Sequence, residues 1–502
     1  MPDQSGVSPF QFACRGGLVL NLSTFDLQPG MATELVNFEP DINGGYRRIN
    51  GFDKWNSNIV PQTSSSDEKV LMVANFVSDQ VIAARGEKVF KATDSASWTE
   101  IDSGRTGAGK YSHKRFNFDG TDKIIWVDGA NHASVYDDTT VTDISASPAP
   151  SDPSIVEIFK NHVFLAGASS NPQELFFSAP YDETDFTVAN GGGSIAIDDT
   201  IVQLKVFRDQ LYIFGREKIF RLVGSTVSDF QLQPVTRNIG CVAKHSVQEL
   251  GGDIVFLAPD GLRTVAGTER IGDVELGTIS RAVQVRFDEL NSFGLIDSVV
   301  IPNKTQYRIF FVRSDTVENA TRGVIASQRA DGFEFSDIQG IRPACTDSDV
   351  QRTPEVILHG GFDGYVYEQE VGNDFDGSAI NAKYRSPDLT LGDAGIRKNM
   401  QRVILNYAPE SAISADMFLR YDYESPTSPR PAAYPLDSDT VVAVYGISSY
   451  GTATYGGQRQ PLVRQPVEGS GFAVAIRVND NGVTAPYSLK GFQIEFSAGA
   501  RR

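Results

Sequence analysis

The residues from Gly104 to Lys110 read Gly-Arg-Thr-Gly-Ala-Gly-Lys, which fits the Gly-x4-Gly-Lys core of a loop that cradles phosphates with backbone N–H groups. The next position breaks the chemistry. Tyr111 stands where a Ser or Thr hydroxyl would hold magnesium, and the stretch from Lys114 to Phe118 reads as a strand. A phosphate loop needs a helix there, with its N-terminus facing the phosphates. The expectation is a glycine-rich connection between two β units. The histidines, His113, His132, His162, His245 and His359, form no His-x-x-x-His or His-Glu-x-x-His pair, so zinc chemistry has no foothold. A Gly-x-Ser-x-Gly elbow for a hydrolase nucleophile is likewise missing. Cys241 heads an apolar run and reads as a small buried hydrophobe. Paired carboxylates could cleave a glycan if held about 5 to 10 Å apart. The candidates are Asp119 with Asp122, Asp128, Asp137 with Asp138, and Asp198 with Asp199. Each lies beside Gly, Thr or Asn, where Asp is favoured for its own backbone hydrogen bond. Asp119-Gly120-Thr121-Asp122 also lacks the full ligand set of a calcium loop. The reading is no catalytic residue, no cofactor and no metal ligand: not an enzyme.

The elements that would have to position any such group repeat along the chain. Leu211-Tyr212-Ile213-Phe214, a polar turn from Gly215 to Lys218, and Ile219-Phe220-Arg221-Leu222 read as two strands of a hairpin. Similar copies start at Val81, Ile254 and Val356, with looser ones at Ile124, Val163 and Ile309. The steps from start to start are 43, 39, 48, 43, 55 and 47 residues, about the length of one four-stranded propeller blade. A lone blade cannot bury both its faces, so such units close into a ring. The fold expected is mainly β: a β-propeller of six or seven blades, flanked by an N-terminal extended β-segment and a C-terminal β-sandwich-like platform. A large sandwich or two stacked β-domains is the competing topology.

Domain boundaries are expected near two polar breaks, Gln62 to Glu68 and Gly372 to Ser378, giving 1–60 as the front segment, 61–377 as the propeller and 378–502 as the closing domain. In the last of these, runs at 417–421, 441–445, 472–478 and 491–496 alternate cleanly, and Asn479-Asp480-Asn481-Gly482 looks like a hairpin loop between the final two. The Gly, Thr, Tyr and Gln-rich stretch 450–461 suggests an exposed loop that orders only against a neighbour. One short helix is expected from Ile279 to Leu290.

Formal charge is −18 and is unevenly spread. Residues 1–60 carry 4 basic and 6 acidic groups, 61–377 carry 28 and 46, and 378–502 carry 13 and 11. The acidic excess therefore sits in the repeats, which lack the clustered Lys and Arg of a nucleic-acid grip. Either the carboxylates simply keep the surface soluble, or they form a wall to which passing DNA does not stick. Three widely spaced cysteines argue against a disulfide framework and for a reducing compartment. No secretion signal or 18-residue apolar run is visible.

Three places, taken in order, resemble the nozzle or tail tubular proteins of short-tailed bacteriophages. The first is Gly17-Leu18-Val19-Leu20-Asn21 with Pro29-Gly30, Asn37 and Arg47-Arg48-x-x-Gly51. The second runs from Ile201 through Gly240-Cys241 to Arg263. The third is Tyr384-Arg385-Ser386-Pro387 with Leu391-Gly392, Arg397-Lys398 and the ending from Tyr487 to Arg502. The resemblance implies a virion structural protein, assembled in the host cytoplasm. Six copies would form a ring under the tail adaptor protein around a channel for genomic double-stranded DNA, with attachment surfaces for fibre or spike proteins. The rival readings are a receptor-binding or polysaccharide-degrading tail protein and an intracellular scaffold. A sugar site would call for converging aromatics and paired carboxylates, and of Trp55, Trp98 and Trp126 only the last lies within a hairpin copy.

Overall fold

The computed structural model describes residues 6–62, 64, 69–77, 79–267, 278–288, 295–312, 322–330, 332–349, 355–410, 413–436 and 462–501. It is a mainly β protein built on a β-propeller. Each of the seven hairpin starts is the second strand of a sheet, as in Val81–Arg85, His162–Ala166 and Gln306–Val312, where every residue is buried. Second strands are covered on both faces by neighbouring blades, so they read as unbroken apolar runs. Outer strands such as Thr99–Ser103 and Val141–Asp143 are largely exposed and carry the polar residues.

Six separate sheets of three or four strands serve as blades, spanning 70–103, 112–143, 155–196, 201–236, 248–264 and 345–369. The remaining sector of the ring is a quartet, Leu295–Ile301, Gln306–Val312, Arg322–Arg329 and Gly332–Ile338, which forms one end of a nine-stranded sheet. Apolar clusters join each sector to the next. Met72 and Ile82 meet Trp126 between the first two blades, and Val70, Val73 and Val81 meet Leu358 and Val366 where the last blade returns to the first.

Closure depends on the front of the chain. Phe52–Lys54 pairs antiparallel with Val366–Gln369 as the outer strand of the last blade. The boundary expected at residue 60 therefore cuts through a blade. The expected break at 372–378 is also tied in, since Phe52 N–H donates to the Asp374 carbonyl at 3.0 Å and Phe375 stacks on Phe52 at 5.0 Å. Gly51 permits this approach, because a Cβ there would stand 1.8 Å from the Asp374 oxygen.

The platform is a sandwich of two sheets to which both ends of the chain contribute. In one, the long strand Tyr487–Arg501 pairs with Ile396–Pro409 on one side and with Val7–Ala13 and Tyr46–Arg48 on the other. In the other, Glu34–Val36 lies between Gly332–Ile338 of the propeller and Ala382–Arg385 of the platform. Their shared core includes Phe12, Leu35, Phe38 and Tyr46 from the front and Tyr384, Val403, Ile476 and Ile494 from the tail. The hairpin expected at 479–482 is corrected: Val474–Asp480 pairs with Ala382–Arg385 and Asp416–Tyr421, whereas Tyr487–Arg501 belongs to the opposite sheet. The turn is diverted by Arg48, fully buried, which sits 3.3 Å from Asp480 and donates to the Gly482 and Thr484 carbonyls. The expected helix is a 3-10 helix, Ile279–Arg286. The runs 441–445 and 450–461 lie outside the described residues.

Candidate functional site at the propeller axis

The first strand of every sector faces the axis. These strands include Val70–Asn75, Ser112–Phe116, Ile155–Phe159, Ile201–Phe207 and Cys345–Asp349, and together the inner strands enclose a cavity of about 710 Å³. The false phosphate loop ends at its mouth. Residues 104–110 join the first two blades as expected, and a strand, Ser112–Phe116, follows. Gly104 and Gly107 adopt φ of +82° and +72°, a region open to glycine at little cost. That path lets Arg105 plug the gap, 4% exposed, 2.8 Å from Asp128 and 3.3 Å from Asp102. Tyr111 packs in the apolar cluster between those blades with the Arg105 guanidinium 5.7 Å from its ring. Lys110 turns into the axis, its Nζ 2.6 Å from the buried carboxylate of Asp297.

Along Ser112–Phe116 side chains alternate between two neighbours, as strand geometry requires. His113 and Arg115 reach Asp347 and Asp349 at 3.5 and 3.3 Å, while Lys114 reaches Glu157 at 2.9 Å. Gln203, Lys205 and His245 also line the cavity. Burial, reinforced by the like charge of Lys114, pushes Lys205 down to about 8. Lys244, whose ammonium donates to the Ser154 carbonyl, falls to about 7 through burial and the charge of Lys110. Burial likewise drives His245 well below the usual histidine range, with Lys110 and Lys244 adding to it. Burial opposes ionisation of Asp347, but hydrogen bonds from His113 and Asn75 prevail and hold it below the ordinary carboxylate value.

The axis is thus a mixed lining rich in Lys, Arg and His inside an acidic protein, which charge totals could not reveal. A signal was present in the sequence: the inner strands interrupt apolar alternation with Ser-His-Lys-Arg and Gln-x-Lys about ten residues ahead of a hairpin start.

The acidic pairs lie elsewhere, in turns. Asp119 accepts the Thr121 N–H and pairs with Lys123, Asp122 accepts from Asn117, and Asp137 caps Thr139 and Thr140. Asp138 pairs with Lys91, Asp198 with Lys218, and Asp199 accepts the backbone N–H groups of Glu217 and Lys218. Among the described residues no three His, Cys, Asp or Glu side chains group to hold a metal ion. Cys14, Cys241 and Cys345 are buried free thiols, and burial raises them to about 12, 11 and 12.

No family model and no curated protein matches the chain. Solved structures with a partial likeness include the extracellular domain of a hybrid two component system of B. thetaiotaomicron, with 11% identity over 70% of this chain and 42% of that one, TM-score 0.39. A quinonprotein alcohol dehydrogenase-like protein from Bacteroides thetaiotaomicron shares 9% identity over 57% of this chain and 69% of its own, TM-score 0.37. BBS1N, solved in complex with ARL6DN, shares 7% over 65% and 99%, TM-score 0.40. The chain spans less than half of the first of these.

Proposed function

We propose that this protein is a structural, ring-forming component of a short phage tail, a nozzle that conducts DNA and anchors neighbouring tail proteins. The observation that carries the reading is the unbroken ladder from propeller to platform: Val36 pairs with Asp337 on one side and Lys383 on the other within the nine-stranded sheet. With Phe52–Lys54 closing the last blade and both chain ends interleaved in the platform, the two parts cannot hinge without breaking backbone hydrogen bonds. Such a body suits a load-transmitting ring.

In this proposal the DNA path runs between copies, not through a single propeller. A sphere of 710 Å³ is about 11 Å across, narrower than the major groove of B-DNA alone, about 12 Å. The acidic wall belongs on blade surfaces such as that of 112–143, which carries six Asp against three Lys and Arg and leaves Asp119, Asp122 and Asp143 exposed. Native mass spectrometry and electron microscopy of the full chain test the idea. A closed ring, six copies by expectation, supports it, as does stoichiometric presence in virions. A stable monomer or trimer that depolymerises surface polysaccharide overturns it.

A further inference from the structure

Among the described residues, pairing of charges around the axis leaves two lysines without a carboxylate partner: Lys244, which donates to the Ser154 carbonyl, and Lys205. Lys110 has Asp297, His113 has Asp347, Lys114 has Glu157 and Arg115 has Asp349. Lys205, on the same cavity wall, has neither an ion pair nor a hydrogen bond among the described residues. Three adjacent inner strands contribute Lys114, Glu157 and Lys205, so two ammonium groups share one carboxylate. Glu157 is nearly buried and already engaged by Lys114. Glu249 acts on Lys205 through its charge, but its own side chain is exposed to solvent. Half-burying an unmatched cation beside a like charge costs free energy, and an anion seated between them would recover it.

We propose that the propeller axis binds a small multivalent oxyanion, phosphate or a phosphate monoester, bridged between Lys205 and Lys114. The cavity is far larger than one phosphate group, so it accommodates a phosphate that carries an organic substituent. Charge-assisted hydrogen bonds from two ammonium groups favour a dianion over chloride. The site lies within one chain and does not depend on the tail role.

The test is calorimetric and thermal titration of the purified full chain with inorganic phosphate, with adenosine monophosphate as the monoester arm and chloride at equal ionic strength as control. Saturable binding and a rise in melting temperature of about 2 °C or more are expected with phosphate and not with chloride. Binding through the monoester alone assigns the site to an esterified ligand, and through both to the phosphate group itself. Lys205→Met should melt at or above the unsubstituted protein in phosphate-free buffer, since it removes an uncompensated charge, yet lose about tenfold or more in phosphate affinity. Lys218→Gln, at an exposed turn, should change neither. A response matched by chloride, or unaltered in Lys205→Met, overturns the proposal. Should Lys205→Met fold poorly, reductive methylation of the unsubstituted protein decides: phosphate must protect Lys205, read by peptide mass spectrometry, and unchanged labelling rejects the site.

Discussion

At the scale of single residues, buried charges fix the junction between propeller and platform. Arg308 is 1% exposed and lies 2.9 Å from Glu39 and 2.7 Å from Glu370, while Lys304 bridges the same two carboxylates at 2.6 and 2.5 Å. Burial alone would raise Glu370, but Arg308 and Lys304 outweigh it and lower it to about 2. A depressed carboxylate contributes stability that is present above its unfolded value, near 4.5, and is lost as pH falls toward 2. Glu370→Gln should therefore cost on the order of 3 kcal/mol at neutral pH. In urea titrations, the gap from the unsubstituted protein should close as pH is lowered from 5 to 2. A gap independent of pH would contradict the ionic account. Arg48 illustrates the same economy of buried charge: one guanidinium satisfies carbonyls of 373, 482 and 484 while facing Asp480. Removing it as Arg48→Met strands the Asp480 carboxylate, and a loss of about 3 to 5 kcal/mol is expected from chemical denaturation.

At the scale of elements, the short strand Phe52–Lys54 holds the ring shut. Phe52 packs against His359, Tyr367 and Phe375 with ring centroids 5.0 to 5.2 Å apart. Phe52→Ala should cost about 3 to 5 kcal/mol. Hydrogen exchange should report faster opening of Val366–Gln369 than of the blade 201–236, which has no share in the closure. Uniform loss of protection would mean that the strand matters to the core in general and not to ring closure. Gly51→Ala belongs to the same element, because a methyl group there meets the Asp374 backbone. It should lower the melting temperature and loosen 372–376 together with 52–54.

At the scale of the whole molecule, the arrangement of charge matters more than its total. Exposed carboxylates such as that of Asp119, paired with Lys123, contribute little to stability, so they are available for a role in the assembly. A triple variant, Asp119→Asn, Asp122→Asn and Asp143→Asn, should keep its melting temperature within about 2 °C. On the proposed function it should retain duplex DNA at low salt where the unsubstituted ring releases it, with the difference vanishing as salt is raised. Equal release by both proteins would remove those three groups from the DNA path.

The order of apolar runs was enough to locate all seven second strands, from Val81 to Val356, because strands covered on both faces leave a local, continuous signature. The glycine-rich loop at 104–110 was legible for a similar reason, since Tyr111 and the following strand exclude a phosphate-binding helix by local rules. Three features were not legible: Phe52–Lys54 inside the last blade, the crossover after Asp480 and the axial set around Lys205. Each depends on partners more than 30 residues away, as with Lys114 and Glu157, or more than 300, as with Phe52 and Gln369. Residue type and spacing dictate which segments pair with their immediate neighbours. Which distant edges meet, and which charges then share one cavity, is decided only when the ring closes, because that is when solvent leaves and burial sets the energy of every charge.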